Sequence, residues 1–169
     1  MNEAEPIYRE ALEVSRRTLG DTHPDTLRSI SNLAFLLQDQ GAMREAESLM
    51  REALEVRRRV LGDTHYSTLT SLNNLGMLLQ SEGKLNEVEP LLRECLEGRQ
   101  RTLGDTHLDT LASTNNLAGL LQALGNLDEA EQLFRTAVDG AMETLGNEHP
   151  YTVGMQRNLE LLVQDMGKE

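Results

Sequence analysis

The chain has 169 residues and a formal net charge of −12 at pH 7; aromatic residues make up 3% of it and tryptophan is absent. That balance argues against nucleic acid or an anionic membrane as a partner, because both select basic surfaces, and so few aromatics offer no base-stacking platform. The single cysteine, Cys95, excludes an internal disulfide. No apolar run nears the ~20 residues that span a bilayer, and Met1-Asn2-Glu3-Ala4-Glu5 lacks the basic-then-apolar order of a secretory signal. A cytoplasmic setting is expected.

Two marks divide the chain. Leu19-Gly20-Asp21-Thr22-His23 returns at Leu61, Leu103 and, more loosely, Leu145, each time after 42 residues, and Gly41, Gly83, Gly125 and Gly167 follow the same period. A fixed period of this size marks an array of supersecondary units, each burying its apolar face only by stacking on its neighbours. The first segment, 1–20, reads as a B helix of an incomplete repeat, with Ala4, Tyr8, Ala11 and Leu12 matching Ala46, Met50, Ala53 and Leu54. Pro24 to Gln40 reads as an A helix: Leu27, Ile30, Leu33, Ala34 and Leu37 fall on one face, proline opens it and Gly41 closes it. From about Arg44 to Leu61, the residues Ala46, Leu49, Met50, Ala53, Leu54 and Leu61 give a B helix closed by Gly62.

The next periods repeat the pattern with Leu69, Leu72, Leu75, Gly76 and Leu79, then Leu85, Val88, Leu91, Leu92, Cys95 and Leu96. Cys95 stands where Ala53 and Ala137 stand, so it reads as a small core residue. Leu111, Leu117, Ala118 and Leu121, followed by Leu127, Ala130, Leu133, Phe134, Ala137 and Val138, make the third period. Asn86 and Asp128 are expected N-caps of their B helices, answered three residues on by Glu89 and Glu131. Pro6 and Pro90 are placed near the first turn of a B helix, where little hydrogen bonding is lost. A final A helix, 150–167, carries Val153, Leu159, Leu162 and Val163. The expectation is one all-α solenoid over 1–169, of eight helices, with full repeats at 24–62, 66–104 and 108–146.

The order Leu33-Ala34, Leu37, Gly41, Ala46, Met50, Ala53 resembles the tetratricopeptide pattern of a large-small pair, a large residue, a turn glycine, then small, large, small. The 42-residue unit, the Asn-Leu-Ala-x-Leu-Leu phrase (Asn32 to Leu37, Asn116 to Leu121) and the Leu-Gly-x-x-His turn are similar to the repeats of kinesin light chains and related proteins. The resemblance implies a right-handed superhelix of antiparallel helix pairs, with A helices lining a concave face that holds an extended peptide. The residues then directed to that face are Arg28, Ser31, Asn32, Phe35 and Gln38; Thr70, Asn73, Asn74, Met77 and Gln80; Ala112, Asn115, Asn116, Gly119 and Gln122; and Arg157, Asn158, Leu161 and Gln164. A carboxamide both donates and accepts, so a ladder of asparagines can pair with the main chain of a peptide whatever its side chains. The same amides can equally bond to neighbouring helices and hold the repeat spacing. Light chains hold acidic cargo peptides with basic residues, whereas this face offers only Arg28 and Arg157, near opposite ends. A protein or peptide ligand of neutral or mildly basic character is therefore expected.

His23, His65, His107 and His149 occupy one repeat position and lie too far apart in a stack to share a metal, so they read as turn structure. Arg57-Arg58-Arg59, with Glu52 and Glu55 nearby, reads as a solvated face. No phosphate loop, zinc-ligand cluster or nucleophile motif is present, so no cofactor, metal or catalytic residue is expected. A second reading concerns the ends. Once Met1 is set aside the chain is a whole number of periods, cut between an A helix and its B helix. The opening helix of a second copy (Tyr8, Ala11, Leu12) then fits the final helix (Leu159, Leu162, Val163) in weak head-to-tail self-association.

Overall fold

The computed structural model describes residues 4–167. Among them are eight helices and no strand: α1 (Ala4–Leu19), α2 (Pro24–Asp39), α3 (Met43–Leu61), α4 (Tyr66–Ser81), α5 (Leu85–Leu103), α6 (Leu108–Ala123), α7 (Leu127–Leu145) and α8 (Pro150–Met166). The even-numbered helices are the expected A helices and the odd-numbered ones the B helices. The chain divides into two compact units, Met1–Gly83 and Lys84–Glu169.

In the first unit α1 packs on α2, α2 on α3 and α3 on α4. The apolar stripe of α2 is closed to solvent at Leu27, Ile30, Leu33, Ala34 and Leu37, facing Ala46, Met50, Ala53 and Leu54 of α3. Leu69, Leu72, Leu75 and Leu79 do the same in α4. In the second unit α6 meets α5, α7 and α8. It buries Leu111, Leu117, Ala118 and Leu121, and also Leu120, on a face outside the expected stripe. Cys95 is fully buried as expected, its Sγ 3.5 Å from Ser113 Oγ.

The turn after each A helix explains a correction at the B-helix starts. Gly41 has φ of +79°, its N–H bonds Gln38 O at 2.9 Å, and Ala42 N–H bonds Leu37 O at 2.8 Å. These two bonds close α2 in a Schellman motif. Ala42 is already the cap of α3, since its carbonyl accepts from Ala46 N–H at 3.1 Å. One residue thus ends one helix and begins the next. By the same route the caps of α5 and α7 are Lys84 and Asn126, with no side-chain capping bond. Asn86 and Asp128 lie inside the first turn instead, and Glu89 and Glu131 accept from Arg93 and Arg135 four residues on. The B helices end differently: Gly62 takes φ +89° and ψ 166°, a region essentially restricted to glycine.

Other expectations also change. Pro90 is the sixth residue of α5, just past its first turn, and the helix runs through it. Leu61, Tyr8, Ala11 and Val153 are exposed rather than core. Gly167 ends α8 with φ −80°, without the positive φ of Gly41, Gly83 and Gly125.

On the B helices, arginines bind successive repeats together. Arg9 of α1 holds Glu5 at 2.9 Å and Glu45 at 2.7 Å, and Arg93 of α5 holds Glu89 and Glu129, both at 2.9 Å. Arg16 reaches Glu52 in the same manner.

Candidate functional site

The A helices bring part of the expected face together in each unit. In the first, Arg28, Ser31 and Phe35 of α2 and Thr70 and Asn74 of α4 line a cleft of about 210 Å³, with Arg57, Tyr66 and Ser67. Met50, Ala53 and Ser71 line a narrow recess behind it. Phe35 is 41% exposed within this cleft. Asn32, Gln38, Met77 and Gln80 lie outside it, and Asn73 donates to Met77 Sδ at 3.5 Å along its own helix.

Arg57 changes the electrostatics of this site. It is no solvated residue: from α3 its Nη2 donates to Leu27 O and to Ser31 Oγ, both at 3.1 Å, and its Nη1 to Ser71 Oγ. Burial pushes its pKa below the usual arginine value. Its neighbours in the run behave otherwise, since Arg58 pairs with Asp63 at 3.7 Å and Arg59 is exposed. None of the eight residues lining the cleft is acidic. Arg28 is paired with Asp25 at 2.9 Å, whereas the partners of Arg57 are all neutral.

In the second unit Ala112, Asn115 and Asn116 of α6 and Arg157, Asn158 and Leu161 of α8 line an open cleft of about 570 Å³, completed by Pro150, Tyr151, Gly154 and Met155. Gly154 stands where earlier A helices carry Arg28, Thr70 and Ala112, and nothing lies within 4 Å of a Cβ placed there. Part of the carboxamide ladder is spent internally, because Asn158 Nδ2 donates to Asn115 Oδ1 at 3.0 Å. Gln122 and Gln164 lie outside the cleft.

Sequence reasoning did not find Arg57, Tyr66, Ser67 or Tyr151. A signal for Arg57 existed: Arg99 stands one period on, each has a serine fourteen residues later, and Arg99 bonds Ser113 Oγ and Asp109 O at 2.8 Å. The four histidines have a sharper role than turn structure. Each is the N-cap of an A helix, its Nδ1 accepting a backbone N–H. Of the residues expected at the chain ends, Leu12 and Leu162 are buried within their own units, Leu159 is half-buried, and Tyr8, Ala11 and Val163 are exposed. No helix among the described residues is long and apolar enough to cross a membrane.

Tetratricopeptide repeat family models match residues 28–101, 72–141, 109–169 and 1–25. No curated protein sequence matches the chain. Among solved structures it is similar to the nearly identical TPR-like repeats assigned to a kinesin light chain of Podosopora anserina, with 30% identity, TM-score 0.85, and coverage of 99% of this chain and 79% of that one. BtubC (BKLC) from P. vanneervenii has 25% identity and TM-score 0.86, covering 98% of this chain and 66% of that one. A chain of a T3SS complex from Aeromonas hydrophila, 20% identical with TM-score 0.64, covers 97% of this chain and 99% of that one and shares the fold alone. The repeat period, the paired helices with their glycine turns and these matches together place the chain: it belongs to the tetratricopeptide repeat family, with repeats like those of kinesin light chains.

Proposed function

We propose that the chain is a non-catalytic interaction module whose A-helix faces each take an extended segment of a partner protein. The observation that carries this is the first-unit cleft, where Arg57, half-buried and facing no carboxylate, stands with Arg28, Phe35 and Asn74 around one opening. Tetratricopeptide repeats mediate protein–protein interaction and scaffolding, which agrees with such a face. The net charge of −12 repels acidic ligands at a distance. That field decays over ~8 Å in physiological salt, while a partly buried cation in contact is screened much less. Contact therefore outweighs the distant field, and the segment over the first unit carries an acidic side chain beside an apolar one. In the second-unit cleft the one cation, Arg157, is exposed and so screened more than Arg57, and the other lining residues are amides and apolar surface, so the segment there is neutral, its main chain held by Asn116 and its side chain directed to Tyr151 and Leu161.

A peptide array of acidic-apolar, neutral and basic ten-residue segments tests this against the unsubstituted chain, Arg57→Gln, Asn74→Ala and Asn116→Ala. The expected result is retention of acidic-apolar peptides that falls about tenfold in Arg57→Gln, as for loss of a charge-assisted contact, and loss of the neutral class in Asn116→Ala. Retention of every class unchanged in all three variants rejects the reading.

A second reading, head-to-tail self-association, draws support from the exposed apolar side chains of the outer helices: Ile7 (63%), Tyr8 (39%), Val153 (50%) and Val163 (44%). Light scattering over a concentration series, with Tyr8→Asp and Val163→Asp as controls, decides it. A constant monomer mass up to millimolar concentration removes it.

A further inference from the structure

The two clefts differ at one pair of equivalent positions. Arg28 of α2 and Thr70 of α4 line the first, and the residues that stand there in the second are Ala112 of α6 and Gly154 of α8. The cleft with the longer side chains encloses about 210 Å³ and the other about 570 Å³. Nothing in the backbone or the packing asks for glycine at 154. It is the fifth residue of α8, its φ is not positive, and nothing lies within 4 Å of a Cβ placed there. Glycine inside a helix costs stability relative to alanine, and here neither a turn nor a close contact offsets that cost. What the missing side chain leaves is room in the cleft.

We infer that Gly154 is the specificity-determining position of the second-unit cleft, a notch that admits one aromatic side chain of the bound segment. Its neighbours set that chemistry. Tyr151 and Arg157 stand three residues before and after it on one face of α8, and both line the cleft. Three residues rise about 4.5 Å along a helix. A ring lying over Gly154 is then within the ~4.5–7 Å at which aromatic rings stack and the ~6 Å at which a cation holds a ring face. Tyr151 is 61% exposed, and Arg157 is exposed with no ion pair among the described residues. His149 stacks on the Tyr151 ring with centroids 5.9 Å apart and so fixes its orientation. Met155, 6% exposed, adds a sulfur, which favours aromatic contacts. An aliphatic side chain fills the same space without the stacking, and a methyl group leaves most of it empty.

The first cleft has no such notch, because Arg28 and Thr70 occupy the positions that form it. It selects its segment by charge, and the second selects by size and flatness. The assignment rests on the reading that the second-unit cleft takes a neutral segment.

The test uses the full chain and neutral ten-residue peptides identical except for a central Ala, Leu or Phe, with Kd measured by fluorescence anisotropy. The unsubstituted chain should bind the Phe peptide about tenfold or more tighter than the Ala peptide, the discrimination that burial of one ring supplies. Stacking should add about threefold over the Leu peptide. Gly154→Ala should raise the melting temperature by about 2 °C while lowering the preference for Phe. Because that variant is the more stable one, its weaker binding is not a loss of folding. Gly154→Thr, which installs the residue found at position 70, should bring the Phe and Ala peptides to within about twofold of each other. Equal Kd values for the three peptides, or the full preference surviving in Gly154→Thr, overturn the inference and leave the neutral-segment reading standing. Binding of none of the three defeats that reading, and N-acetylphenylalaninamide then decides the notch by itself. Backbone amide shifts that cluster at Ala112, Tyr151 and Gly154 on its titration, and are absent with N-acetylalaninamide, sustain the notch. No such cluster up to the solubility limit overturns it.

Discussion

Gly119 and Gly140 lie in the interiors of adjoining helices, α6 and α7, yet a methyl group added at each meets opposite surroundings. At Gly119 nothing lies within 4 Å of a Cβ; at Gly140 it stands 2.6 Å from Leu111 Cδ2 and 3.4 Å from Cδ1. Leu111 is only 1% exposed, in a cluster with Ala137, Val138, Ala141 and Met155, so its end has little room to move. Alanine in place of a helix-interior glycine gains about 0.5–1 kcal/mol from the smaller backbone entropy of the unfolded chain. Gly119→Ala should show that gain. At Gly140 the same gain is opposed by overpacking of about 1–3 kcal/mol, for a net loss of up to about 2 kcal/mol. Urea unfolding followed by helical circular dichroism measures both, and an unchanged m confines the effect to stability. Leu111→Ala supplies a second arm. By clearing the obstruction it should turn the effect of Gly140→Ala from a loss into a gain, a coupling of about 1–3 kcal/mol. A Gly140→Ala midpoint as high as that of Gly119→Ala, or a sign that ignores Leu111→Ala, refutes the packing argument.

The Arg9–Glu45 pair gives a pH and salt prediction. The hydrogen bond from Arg9 holds the Glu45 carboxyl below its usual value, so its contribution is present above the unfolded value of about 4.3 and is lost as the pH falls through the lower folded one. Because both side chains are over 40% exposed, Arg9→Gln should lower stability at neutral pH by no more than about 1 kcal/mol. That difference should vanish near 1 M salt; a larger, salt-independent loss in urea titrations contradicts this. Arg99→Ala should lower stability by about 2–4 kcal/mol through lost packing and hydrogen bonds. Arg99→Ala with Ser113→Met, the pairing found one period on as Ala141 and Met155, should recover at least half in the same assay, and no recovery refutes that equivalence.

What was legible in the sequence follows from what periodicity can encode. The α2 stripe was read residue by residue because Leu27, Ile30, Leu33, Ala34 and Leu37 form one face, and each is buried. Leu120 was missed because a single stripe describes contact with one neighbour, whereas α6 meets three helices. Leu61 and Val153 were assigned to the core on spacing alone, at helix ends where little packs over them. The cap assignment at Asn86 and Asp128 followed residue preference, and the two-bond turn at Gly41 shows why it failed: the chain enters the B helix before those residues. Arg57 was concealed by its own run. Successive helical positions differ by about 100°, so three adjacent arginines face three directions, and composition does not say which one turns inward.

The position of Arg57 also explains why the two clefts differ. Along the B helices this column reads Ser15, Arg57, Arg99, Ala141, and the A-helix column it faces reads Ser29, Ser71, Ser113, Met155. At the last step the two change together: a long cation meets a serine hydroxyl in the middle, and a small alanine meets a long methionine at the end, where both join the apolar cluster around Leu111. Either pairing fills the space between a B helix and the A helix after it. The apolar one carries no desolvated charge, and buried polar groups are often replaced by hydrophobic ones without loss of stability. Packing alone therefore does not require arginine. Arg99, 4% exposed and with its Nε unpartnered, is closed off from any ligand, so its effect stays within the helix pair. Arg57 is less buried and opens on the cleft with Phe35 and Asn74. Of the two equivalent arginines only Arg57 lines a cleft, which gives the first-unit cleft a partly buried cation, whereas the second has only the exposed Arg157 beside its amides.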